Sequence, residues 1–177
     1  MRFTYALAAL AATTAFAAPA SAQSFTADSS ASIQARALLI QPATIQRVRD
    51  LSFGTIVASP TATGVVSVDA DTGLRSVDPA LTGSTSDVGS NGRFIGNGLP
   101  GQVVNLRVSF PSLLTNVQDG SQAVAFTGSL DSASTGLTRT IGLTGVFYVD
   151  VGGSIAIGLN QMPGQYEGTV TIDADFQ

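Results

Sequence analysis

Cysteine and histidine are both absent from this 177-residue chain. Without cysteine there is no disulfide and no thiolate nucleophile, so the fold must rest on its core. Without histidine the commonest general base and the commonest metal ligand go together, and a Ser-His-acid triad cannot be built. Lysine is missing as well: all eight basic residues are arginines, standing singly at 2, 36, 47, 49, 75, 93, 107 and 139. They make no basic cluster in sequence, and a net charge of −4 argues against nucleic acid and anionic membrane surfaces as partners. Glutamate occurs once, as Glu167. Glycoside hydrolysis needs two acids facing across a sugar, but Asp173 and Asp175 alternate along a strand-like stretch and read as solvated charges that discourage edge aggregation. The expectation is a protein that is not an enzyme, with no catalytic residue, cofactor or metal.

One apolar run stands out, "FTYALAALAATTAFAA" after Met1-Arg2, and it leads to Pro19-Ala20-Ser21-Ala22 before Gln23. A positive charge, an apolar core and an A-x-A site make residues 1–22 a cleaved secretory signal peptide. The run is broken by threonines and short for a bilayer span, and nothing after it reads as a transmembrane helix. The expected destination is the periplasm, the outer cell surface or the medium. The remaining 155 residues suit one domain with a real core.

Beyond the leader almost nothing has a helical period, whereas short β-branched runs recur between turn signals. Strands are expected at 32–40, 44–48, 51–57, 65–68, 74–77, 103–110, 123–126, 146–151, 154–157 and 165–176. Turns are expected at Asp71-Thr72-Gly73, Asn91-Gly92, Pro100-Gly101, Asp119-Gly120, Gly152-Gly153 and Pro163-Gly164. This spacing predicts an all-β fold, an immunoglobulin-like or pilin-like antiparallel β-sandwich over residues 41–177. Residues 79–92 and 129–140 are rich in Ser, Thr, Gly and Asp and read as exposed loops.

Several motifs lead nowhere. "GNGLPG" at 96–101 matches G-x-G-x-x-G, but Pro100 and the following strand "QVVNLRVSF" deny the helix that a dinucleotide site requires. "DADTG" at 69–73 starts like a calcium loop, yet Gly73 and Ala80 stand where further ligands belong. "GGSIA" at 152–156 misses the nucleophile elbow at its last position. Phe147, Tyr148 and Tyr166 could stack on a sugar, but aromatics in strands are more often core or cross-strand pairs.

Both ends of the mature chain alternate. "GQYEGTVTIDADFQ" puts Tyr166, Gly168, Val170, Ile172, Ala174 and Phe176 on one face, and residues 25–39 put Phe25, Ala27, Ala31, Ile33, Ala35, Ala37 and Leu39 on one face. "LSFGTIVA" at 51–58 resembles a turn near the start of many fimbrial and spore-coat-type exported domains. "RFIGNGLPGQVVNLRVSF" and "VGGSIAIGLNQMPGQYEGTVTIDADFQ" resemble a family of bacterial exported domains, domain of unknown function 4402, over roughly residues 51–176. The ending also resembles a chaperone-usher pilin subunit, with alternating Val170, Ile172 and Ala174, an aromatic Phe176 next to last, and Gly164 fourteen places from the end. That resemblance implies an acceptor edge at Gly164, Tyr166, Val170, Ile172, Ala174 and Phe176, filled by strand addition from the N-terminal segment of the next subunit. The donor would be residues 23–40, through Phe25, Ala27, Ala31, Ile33, Ala35, Ala37 and Leu39. Implied partners are further copies of the chain and a periplasmic chaperone and usher. The chain departs from many pilins in lacking their disulfide.

The sequence therefore predicts an exported structural or surface subunit. Two alternatives stay open: the chain's own N-terminal strand closes a monomeric sandwich, or loops 79–92 and 129–140 make it a secreted or periplasmic binding module for a small molecule or glycan.

Overall fold

The computed structural model describes residues 33, 34, 36, 37, 44–134 and 136–176. The chain divides into two units, Met1–Leu38 and Leu39–Gln177. In the first, Ile33 and Ala37 are exposed and in no strand; the remaining donor positions, Phe25, Ala27, Ala31 and Ala35, lie outside the described residues, as does Leu39 of the second unit.

The second unit is all-β, with thirteen strands and no helix among the described residues: β1 Thr44–Arg49, β2 Ile56–Val57, β3 Gly64–Val68, β4 Arg75–Val77, β5 Thr82–Gly83, β6 Gly92–Asn97, β7 Val103–Ser109, β8 Leu113–Asn116, β9 Ala123–Leu130, β10 Thr138–Thr140, β11 Val146–Ile157, β12 Tyr166–Glu167 and β13 Thr171–Phe176. A large antiparallel sheet runs β1-β6-β11-β9-β8-β12, a small one runs β10-β7-β13, and β2 pairs with β5. The axis is β11, whose twelve residues pair β6 through Val146–Val151 and then β3 through Gly153–Ile157.

The alternation of β11 builds the core. Phe147, Val149 and Val151 face Val104, Leu106 and Ile172 of the small sheet. Ile155 and Ile157, on the same face further along, pack with Val66, Leu81, Val124 and Phe126. The sandwich thus has two adjoining apolar clusters, with Leu51, Phe110 and Val170 packed against both.

Several expected features are corrected. Gly152-Gly153 is no turn but the middle of β11, and at the turn expected for Asn91-Gly92 Gly92 already opens β6. Residues 79–92 and 129–140 are not simply exposed loops: they contribute β5, the end of β9 and β10, and they bury Leu81, Asn91, Asp131 and Ser134. The 51–57 strand reduces to Ile56–Val57 plus a bridge between Ser52 and Ser90. The final strand is not continuous either. Tyr166–Glu167 pairs with β8 in the large sheet, whereas Thr171–Phe176 pairs with β7 in the small one. The crossing is made at Gly168, where a Cβ would stand 2.7 Å from Leu114 Cδ2 and 3.0 Å from Pro111 Cγ. A side chain there would have to displace the Leu114 side chain and crowd Pro111.

Two exposed turns are fastened by carboxylates. Asp69 accepts the Thr72 hydroxyl and N–H, each at 2.7 Å, and Asp119 accepts the Ser121 hydroxyl at 2.7 Å and N–H at 3.0 Å. These bonds, the side-chain one foremost in each case, hold both carboxyls below their ordinary value of 3.8. A depressed folded-state pKa stabilises the fold above that value, and the contribution disappears as pH falls through the lowered pKa. Urea midpoints of the native chain should therefore drop more steeply below pH about 4 than those of an Asp69→Asn/Asp119→Asn variant. Parallel acid limbs would show that these bonds do not matter to folding.

Candidate functional site

The large sheet leaves an open groove of about 1580 Å³ over the second apolar cluster. Its floor is Phe94, Leu114, Val124, Phe126, Val151, Ile155 and Ile157, and its two walls are residues 51–60 and 160–170. Core side chains, not surface ones, therefore line it: Val124, Phe126 and Ile155 are each less than a tenth exposed.

The first wall is held from outside. Ser52 and Ser90 exchange backbone hydrogen bonds of 2.8 Å, Ser84 N–H donates to Thr55 O at 2.9 Å, and β2 pairs with β5. Arg75 fixes this wall from behind. Its guanidinium donates to the carbonyls of Phe53 and Asp87, each at 3.0 Å, and to those of Thr55 and Ser84. Gly54 has φ +68°, and a Cβ on it would stand 2.3 Å from Asp87 O, so the "LSFG" turn requires its glycine. Phe53 is thereby set edge-on to Phe126, with ring centroids 6.1 Å apart at 79°.

The second wall is the outer strand of the large sheet. Val117 N–H donates to Gln165 O at 2.8 Å, and Tyr166 and Glu167 stand opposite Asn116 and Thr115. In an antiparallel ladder bonded and non-bonded pairs alternate. Gln165 and Glu167 thus turn their backbone groups to β8, and Tyr166 turns its groups to the opposite edge, which borders the groove. Below them Asn116 Oδ1 accepts the N–H groups of Gln118 and Asp119 at 2.8 and 3.1 Å, and the Tyr166 hydroxyl donates to Met162 O at 2.7 Å. The wall's lower turn is tied down at both points.

The acceptor residues read from the sequence are thus divided. Gly164, Tyr166 and Val170 line the groove. Ile172 is buried between the sheets, Ala174 packs against the same cluster, and Phe176 ends β13 opposite Val104. The first wall, the floor and Arg75 were not among the candidates; the only signal for them was the "LSFG" turn. The supposed aromatic platform does not form, because Phe147 is in the core and Tyr148 faces out, under the Arg93 guanidinium at 5.5 Å.

The other polar cluster of note fastens strands. Arg93 makes two bonds of 2.6 and 2.7 Å to Asp150, which raise its pKa further, and the Asp150 N–H donates to Asp131 Oδ2 at 2.6 Å. Among the described residues no group of three or more His, Cys, Asp or Glu could hold a metal ion.

No curated protein and no solved structure matches the chain. The family model described as Domain of unknown function (DUF4402) matches residues 43–176, a span that takes in both walls and the floor of the groove, and the chain belongs to that family.

Proposed function

We propose that the protein is a non-enzymatic, exported structural subunit that assembles by β-strand addition. The groove of one copy takes an extended segment, residues 25–39, from another. The observation that carries this reading is that the outer strand β12, which borders the groove, turns the backbone groups of Tyr166 away from its one partner strand. A strand laid there would satisfy that edge, a need that an open sheet edge otherwise leaves to aggregation. Each sizeable inward side chain would add about 1.5–3 kcal/mol before ordering costs.

The composition supports a role without chemistry: no His, no Cys and a single Glu. Export, a surface location and a chaperone and usher as assembly partners belong to the same proposal and rest on the leader and on the pilin-like ending.

The test is a gel of natively produced protein, loaded with and without boiling. A ladder that collapses only on boiling is expected, and deletion of residues 23–40 should remove it. A ladder unchanged by that deletion would reject residues 25–39 as the donor.

A further inference from the structure

Resting on the strand-addition reading, the groove also carries a means of release. Its first wall owes its apolar character to Phe53, Ile56, Val57 and Ala58, hydrocarbon side chains that no mild reagent alters. The second wall includes Met162. Met162 is 38% exposed, so it belongs to the wall and is still open to small molecules in solution.

The composition makes its sulfur singular. The chain has two methionines and no cysteine, tryptophan or histidine. The other methionine, Met1, stands in the leader. Once that leader is removed, Met162 holds the only sulfur, and a two-electron oxidant meets no thiol, indole or imidazole that would consume it first.

The backbone on either side of Met162 is fixed. The Tyr166 hydroxyl donates to Met162 O at 2.7 Å and accepts Gln161 Nε2 at 2.8 Å. Asn116 Nδ2, on β8, donates to Pro163 O at 3.5 Å, and it lies so near Gly164 that a Cβ there would stand 2.5 Å away. The methionine is therefore held at the groove by the same turn that ends the second wall.

We infer that Met162 is a site of oxidation by peroxides, and that its sulfoxide weakens the hold of the groove on an incoming strand. A sulfur lone pair attacks one oxygen of hydrogen peroxide, the O–O bond breaks, and the departing hydroxide takes the remaining proton and leaves as water. Sulfur loses two electrons and the peroxide gains them. The thioether is apolar and adapts its shape to whatever side chain a strand sets against it. The sulfoxide is polar and chiral, and its oxygen must give up water without a partner when an apolar side chain is pressed on it. The backbone edge at Tyr166 is unchanged, so the strand is weakened and not barred. Met162 belongs to neither buried cluster, so the domain itself keeps its stability.

The test treats the full chain with dilute hydrogen peroxide and follows peptide masses, the boiling-sensitive ladder and the urea midpoint. The peptide that contains Met162 should gain one oxygen, and multimers should fall several-fold at an unchanged midpoint. Methionine sulfoxide reductases should restore them. Met162→Leu chains should form the native ladder and keep it in peroxide, whereas Met162→Gln chains, polar without any oxidant, should behave as the oxidised chain does. A native chain with no ladder would overturn the strand-addition reading. A native ladder that survives full conversion to the sulfoxide would overturn the switch alone. So would a loss that Met162→Leu shares, which places the reaction elsewhere, or one that comes with a lowered urea midpoint, which is unfolding.

Discussion

Truncation of Phe126 to alanine should lower the stability of the domain by about 3–5 kcal/mol, the range for removing a buried aromatic. Phe126 is 5% exposed in the middle of the second apolar cluster. It is edge-on to Phe53 and tilted against Phe110, with centroids 6.1 and 6.3 Å away. Those two rings come from different parts of the sandwich, one on the groove wall and one just past the end of β7. The cavity left by alanine would be open to the groove on one side, so collapse of the surroundings cannot fill it. Urea denaturation measures the loss as a shift of midpoint at constant slope. A loss below about 1 kcal/mol would mean that the floor is not packed as described.

How much of this was legible beforehand depended on whether a pattern was local. The strands β3, β7 and β13 were evident because β-branched residues alternate there, and the structure places their apolar faces in the core. Strands β8 and β10 were missed because Leu113–Asn116 and Thr138–Thr140 carry too little apolar alternation; their places are fixed by partners on β9 and β7. β6 was hidden by its glycines. Gly96 reads as a loop residue, yet a Cβ there would stand 2.1 Å from the Phe147 ring, so the glycine belongs to the strand because a phenylalanine of the next strand lies over it.

The groove was half visible for the same reason. Its second wall announced itself through Tyr166 and Val170. Its first wall depends on Arg75, which reaches four carbonyls of residues 53–55 and 84–87 from a separate strand, and no local period encodes that. The division of the C-terminal alternation between two sheets was likewise invisible, since alternation specifies which face is apolar and says nothing about which sheet the strand joins.

The residues most misread were Gly152 and Gly153, and they support a second large effect. A Cβ at Gly152 would stand 2.3 Å from Val68 O, 2.6 Å from Ala70 N and 2.9 Å from Ala70 Cα. All three are backbone atoms, so no rotamer change can relieve the clash. Gly152→Ala must displace the end of β3, and with it the Ala70 carbonyl that accepts Asn91 Nδ2 at 2.6 Å. The expected cost is about 3 kcal/mol, the top of the usual range for overpacking. Gly128→Ala should cost less, although its Cβ would fall 2.0 Å from the Phe110 ring, because a side chain can swing where backbone cannot. Gly120→Ala is the control: nothing lies within 4 Å, its φ is not positive, and the change should be neutral or slightly stabilising. Urea midpoints should therefore rank Gly120→Ala above Gly128→Ala and Gly152→Ala last. If Gly152→Ala matched the control, β11 would not run unbroken from Val146 to Ile157, and the floor of the groove would lose the strand that aligns it.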